Sequence, residues 1–242
     1  MEASQVLLRP IEHNPKLSEQ VESQLFEAIQ KNVFVDGDYL PSENELTKIF
    51  GVSRSVIREA LLRLSVRGII KVKKGKGAQV MKPSIDHVLD PFSRLVNYRC
   101  GDEGLIYIIK VRQIIEPPVA GLAAEHRSDM ELAHLTECVS EQKRPTENGI
   151  KISEWDIEFH QTLARASGNP VIPIIVRPLY DVLEKFHFSI FIDESIIEGT
   201  IKSHERILDA VQKKDTNAAQ QAMVAHLTGA EKNARNLLKK KS

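Results

Sequence analysis

Between Pro41 and Val80 the chain carries two short helical patterns separated by a glycine and a serine, followed by a glycine-bounded basic segment, and few folds accept that order. Ser42 followed three residues later by Glu45 is a capping box, so a helix is expected from Glu43, with Leu46, Ile49 and Phe50 on its buried side. Gly51 ends it. Ser53 is a good N-cap for a second helix, expected from Arg54 to about Arg67. There Ile57, Ala60, Leu61 and Leu64 recur at i, i+3, i+4 and i+7. That spacing turns them to the core, leaves Ser55 and Arg58 outside and puts Arg54 at the exposed N-terminal end. After Gly68, the residues Ile69, Ile70 and Val72 predict one strand, Gly75–Gly77 a turn, and Ala78–Val80 the returning strand. Helix, turn, helix and basic hairpin together make a winged helix-turn-helix, whose second helix offers its N-terminal end to base edges in a major groove.

Charge points the same way. From Leu46 to Lys82 ten lysines and arginines stand against Glu59 alone, whereas the whole chain balances 33 basic residues with 33 acidic ones. A neutral chain that gathers its positive charge on one small domain has placed it where phosphates would need it.

The same residues carry a family likeness. LPSENEL, GVSRSVIREAL, LRLSVRGII and GKGAQV, in order over about forty positions, resemble the DNA-binding domain of the GntR family of bacterial transcription regulators. The resemblance implies that Arg54 and Arg58 read bases, that Ser53 and Ser55 hold the backbone, and that Lys74 and Gly75 enter the minor groove. Asn44 stands where the family often has a basic residue, and Asn32 where it commonly has Gly.

At 242 residues, 42% hydrophobic and 27% charged, the chain suits two globular domains, expected over 1–82 and 83–242. The first sixteen residues lack an apolar signal region, and no stretch approaches a membrane span, which predicts a cytoplasmic protein. Cys100 and Cys138, isolated, fit reduced thiols. A first helix is expected where Leu17, Val21, Leu25, Ala28 and Ile29 repeat. Met81–Ser84 marks the domain boundary, and beyond it the strand signal disappears. Helices are expected at 84–97, 102–127, 129–143, 150–167, 170–191, 195–213 and 215–239, giving a mainly α protein with an all-α bundle of about seven helices after the winged helix-turn-helix. Pro117 and Pro118 fall inside one of these helices and are expected to kink or break it.

Four residues of that bundle could share a metal. Asp156 and His160 are four apart on one predicted helix, which puts both on one face, with Cβ atoms about 5–6 Å apart. His204 and His226 flank the turn near Asp215 at similar distances, and an antiparallel hairpin brings both to one depth, roughly 15 Å from the turn. Three imidazoles and a carboxylate suit a divalent transition ion, zinc first, with nickel, manganese or iron as alternatives. Any single histidine is more often a surface or core residue, and His13, His87, His126, His134 and His187 are read so.

RQIIEPPVAGLAAEH, the D-x-x-x-H of Asp156 and His160, SGNPVI, SHERILDAV and AMVAHL resemble the FCD ligand-binding domain of the FadR subfamily over most of residues 84–238. The resemblance implies that Asp156, His160, His204 and His226 are the metal ligands and that Arg112 holds the carboxylate of an effector. Arg112 also reads as an exposed helix residue or as the ion-pair partner of Glu116 at i+4. Asn169 reads as a further effector contact or as a cap and turn residue.

These features predict a ligand-responsive transcription regulator, a homodimer that reads a pseudo-palindromic double-stranded DNA operator and senses a small organic acid. Two alternatives stay open: a metal-dependent hydrolase built on the Asp/His3 site, with Glu158 or Glu205 as base, and a regulator whose metal is purely structural.

Overall fold

The computed structural model describes residues 16–73, 75–81, 84–144, 150–187 and 194–241, and the chain divides into two units, Met1–His87 and Val88–Ser242. In the first, α1 (Leu17–Gln30), α2 (Glu43–Phe50) and α3 (Arg54–Val66) precede β1 (Ile70–Lys73) and β2 (Gly77–Val80). Ser42 and Glu45 form the reciprocal capping box at the start of α2, and Gly51 ends it at φ 64°, a left-handed conformation that suits glycine. Asn32, at φ 57°, takes the same conformation after α1.

All four predicted core residues of α3 are buried: Ile57 and Leu64 at 0% exposure, with Ala60 and Leu61 beside them. The hairpin pairs Ile70 with Val80 and Lys73 with Gly77, so Ile70, Ala78 and Val80 face the same core. Two expected core positions lie outside it. Leu17 is 56% exposed because the buried face of α1 runs through Ser18, Val21 and Leu25. Ile49 is 64% exposed because the eight-residue α2 turns only Leu46 and, partly, Phe50 inward. A pairing without a sequence signal joins the loop before α2 to β2, with Leu40 N–H on the Ala78 carbonyl at 2.8 Å and Val80 N–H on that of Asp38 at 2.7 Å.

All the described secondary structure of the second unit is helical. α4 (Asp86–Cys100) is followed by a 3-10 turn (Gly101–Glu103), then α5 (Gly104–His126), α6 (Asp129–Gln142), α7 (Ile150–Ala166), α8 (Val171–His187), α9 (Glu194–Gln212) and α10 (Thr216–Lys241). Each of the seven expected helices has a counterpart, although residues 188–191 of the expected 170–191 helix lie outside the described residues. A Ser128–Glu131 capping box starts α6, and Asp215 accepts the Ala218 N–H at 2.9 Å to cap α10. α5 is buried along most of its length and packs against α7, α8, α9 and α10. A helix that is apolar nearly all round has to be central. It continues through Pro117 and Pro118 without a break, although both lack the N–H that would bond to the carbonyls of Gln113 and Ile114. Neighbours on several sides keep it helical.

Replacing Leu64 by Ala removes a fully buried side chain at the centre of the first core and should destabilise that unit by about 2–5 kcal/mol. Chemical denaturation followed by circular dichroism measures it; a loss under about 1 kcal/mol would mean that the core is not packed as described.

Candidate metal centre and nucleic-acid interface

Ser53, the N-cap of α3, and Arg54, Ser55 and Arg58 on that helix are all exposed. Ser53 makes no side-chain cap; its hydroxyl lies 2.8 Å from that of Ser55. Arg58 Nε donates to Glu43 Oε2 at 2.8 Å, but the pair is exposed, and such pairs contribute only about 0–1 kcal/mol, so DNA can displace it. Gly75 turns the wing at φ 79°, whereas Lys74 lies outside the described residues.

The basic tally divides in two. Arg63 pairs with Glu19 at 3.3 Å and Glu59 at 3.2 Å, and Arg67 pairs with Glu22 at 2.7 Å while lying over the Phe26 ring. These two bind α3 to α1. Lys48, Arg54, Lys71, Lys73 and Lys76 are exposed and make no ion pair among the described residues, which leaves them for phosphates.

In the second unit Asp156 and His160 from α7, His204 from α9 and His226 from α10 converge, each offering a donor atom within 4.8 Å of the others, and all four are buried. The i, i+4 spacing on α7 and the capped turn between α9 and α10 bring this about, as their positions in sequence imply. His160 Nε2 lies 3.2 Å from His226 Nε2, and His204 Nε2 lies 3.5 Å from Asp156 Oδ1. Donors about 2.0–2.1 Å from one tetrahedral ion stand about 3.3–3.4 Å apart, so these two separations fit. His204 Nε2 is buried without a hydrogen-bond partner, a cost that a cation among these donors would remove. Burial first, and then the positive charge around them, holds His204 and His226 well below the ordinary imidazole range, so both rings are neutral. Neutral imidazoles have lone pairs to give.

A second layer surrounds these donors. Arg112 Nε donates to Glu116 Oε1 at 2.6 Å, Tyr180 Oη donates to the same oxygen, and Arg112 lies over the Tyr180 ring at 4.8 Å. His160 Nδ1 is 2.8 Å from Glu116 Oε2, in contact though bent away from the ideal hydrogen-bond line. Burial would raise the Glu116 carboxyl, but Arg112 and His160 more than reverse it and hold the group well below the usual carboxylate range. Arg112 Nη2 also reaches His160 Nε2 at 3.1 Å. Arg112 is therefore the buried partner of Glu116, and with Asp156 and His226 it lines a cavity closed by Leu105, Ile109, Thr200 and Asn233. The free space there is about 40 Å³, room for a few waters. Asn169 is elsewhere, exposed at the start of α8, where its Oδ1 accepts the Val171 N–H at 3.0 Å. The structure does not bring it to the cluster.

Residues 17–80 match the family model described as bacterial regulatory proteins, gntR family, and residues 107–229 match the FCD domain. An HTH-type transcriptional repressor NanR from Cronobacter sakazakii is 31% identical over 93% of this chain and 90% of that protein. The repressor of the same name from Salmonella typhimurium is 32% identical over 88% of this chain and 82% of that protein. Among solved structures, Streptococcus agalactiae GntR is similar with a TM-score of 0.68 at 25% identity, covering 89% of this chain and 99% of that one.

Arg112→Ala would leave the Glu116 carboxylate buried without its cation and should cost about 3–5 kcal/mol in metal-free protein, whereas Arg112→Met combined with Glu116→Leu should cost less. Urea denaturation in the presence of a chelator tests this. A single variant as stable as the parent would show that the pair is not closed off from water.

Proposed function

Because the chain belongs to the GntR family of bacterial regulatory proteins and carries an FCD domain, it is a DNA-binding transcription regulator, and we propose that it senses a small organic acid at a metal held by Asp156, His160, His204 and His226. The observation that carries this reading is the buried four-donor cluster with Arg112 at its edge. Two carboxylates, Asp156 and Glu116, face one guanidinium, so a divalent ion leaves the buried site with a net positive charge that an anion would neutralise. His160 Nε2 has one lone pair. Once that lone pair is committed to an ion, the Arg112 Nη2 N–H directed at it is freed to donate to a carboxylate, while Nη2 keeps Glu116 Oε2 at 3.3 Å. Zinc suits the donor set best, and nickel, manganese and iron remain compatible with it. Bound there, the ion would act as a Lewis acid that coordinates the effector's carboxylate.

The relatives are named repressors, and we infer repression for this chain too. A homodimer would set two copies of α3 on a pseudo-palindromic double-stranded operator, with Arg54 and Arg58 at base edges and Ser53, Ser55, Gly75 and Lys74 on the backbone and minor groove. The acid would release the operator to the extent that it binds the DNA-free arrangement more tightly, and DNA would weaken the acid by the same factor. The cavity's small free space favours a second reading, a purely structural ion without an effector. Titrating organic acids into a protein–operator complex separates the two, because under the second reading no acid shifts operator affinity. Hydrolysis is set aside, since the family is one of regulators rather than enzymes.

Two outcomes are expected. Arg58→Ala should lose about 1–3 kcal/mol of operator affinity and little affinity for scrambled DNA, while Lys76→Ala should weaken both alike and lower the salt slope by about one. Fluorescence anisotropy over a salt series reads both, and an unchanged operator affinity for Arg58→Ala would overturn the base-reading role. The double variant His204→Ala, His226→Ala should contain no stoichiometric metal; elemental analysis that still finds one ion per chain would refute the four-donor site.

A further inference from the structure

We infer that Gln142 is a positioning residue which fixes His204 as the Nδ1–H tautomer and so aims its Nε2 lone pair into the cluster. Gln142 ends α6, 62 positions from His204, and is 1% exposed. Its amide Nε2 donates to the Trp155 carbonyl at 3.0 Å, and its Oε1 lies 2.8 Å from His204 Nδ1. The proton positions follow from what each group can do. A backbone carbonyl only accepts, so the Gln142 NH2 must face Trp155 and its oxygen must face His204. An amide oxygen only accepts, so His204 Nδ1 must carry the proton. A neutral imidazole has one N–H, which leaves Nε2 bare.

The rest of the pocket agrees with that assignment. His204 is completely buried and stacks on Phe159 with ring centroids 4.3 Å apart and planes at 20°, so its ring cannot swing to another partner without moving the core. Nε2 has no hydrogen-bond partner, and Asp156 Oδ1, its nearest carboxylate oxygen, is 3.5 Å away, too far to accept a proton from it. The opposite amide orientation would set the Gln142 oxygen against the Trp155 carbonyl and put the His204 proton on Nε2 with no acceptor in reach. That arrangement adds an oxygen–oxygen repulsion at Trp155, whereas the observed one leaves only the bare Nε2 lone pair without a partner.

This role rests on the metal reading only for its purpose, since the tautomer exists without an ion. In full-length protein labelled with 15N-histidine and kept metal-free by a chelator, long-range 1H–15N spectra should show His204 protonated at Nδ1; protonation at Nε2 would overturn the inference. Zinc affinity, measured by competition with a chromophoric chelator, should fall about 10- to 100-fold in Gln142→Leu. Gln142→Glu keeps an acceptor toward Nδ1 and should recover most of that loss. Parental affinity in the Leu variant, or a Glu variant as weak as Leu, would also overturn it. If the parent takes up no zinc, the metal reading fails and the spectra alone decide the tautomer; if the Leu variant does not fold, the spectra and the Glu variant decide.

Discussion

The Glu116 carboxylate is the point on which the second unit's polar interior depends. Removing an ionised carboxylate from water costs several kcal/mol even after relaxation, and only close donors offset that. Glu116 has Arg112 donating to both oxygens, Tyr180 on Oε1 and His160 against Oε2, all in the bundle's interior. Two of these partners have a second task. Arg112 borders the cavity and crowds the His160 lone pair, and His160 stands among the four donors. A single satisfied charge thus lets a core of Leu, Ile, Phe and Ala accommodate three imidazoles and an aspartate.

That arrangement explains which parts of the site could be read from sequence. Asp156 and His160 announce themselves by helical spacing, and His204 and His226 by their symmetry about a capped turn; both signals are local, and the structure brings the four together. The role of Glu116 was half visible. The sequence offers Arg112 as an exposed helix residue or as the i, i+4 partner of Glu116, and only the packing of α5 against four helices decides for the buried pair. Gln142 and Tyr180 give no signal, because their partners lie 62 and 64 positions away and a glutamine near a helix end is ordinary. Asn169, within a matching motif, takes the cap and turn position that was the second of its two readings.

The fold was more legible than the site. Capping boxes at Ser42 and Ser128, left-handed residues at Gly51 and Asn32, and the Asp215 cap define boundaries by local hydrogen bonding, so the helices fall where expected. The misses concern pairing and facing. Leu17 and Ile49 carry the right periodicity at positions where no neighbour covers the helix, and the strand-like contact of Asp38–Leu40 with β2 depends on tertiary closure. The basic residues of the first unit likewise separate only in three dimensions, Arg63 and Arg67 holding α1 while the wing lysines stay free among the described residues.

Whether the four buried donors hold one metal ion decides the function proposed for the second unit. X-ray absorption at the zinc edge of stoichiometrically loaded, full-length protein tests it directly. A first shell of nitrogen and oxygen only, at about 2.0–2.1 Å, with the outer-shell pattern of three imidazoles, is expected. A sulfur ligand at about 2.3 Å, or fewer than two imidazoles, would contradict it.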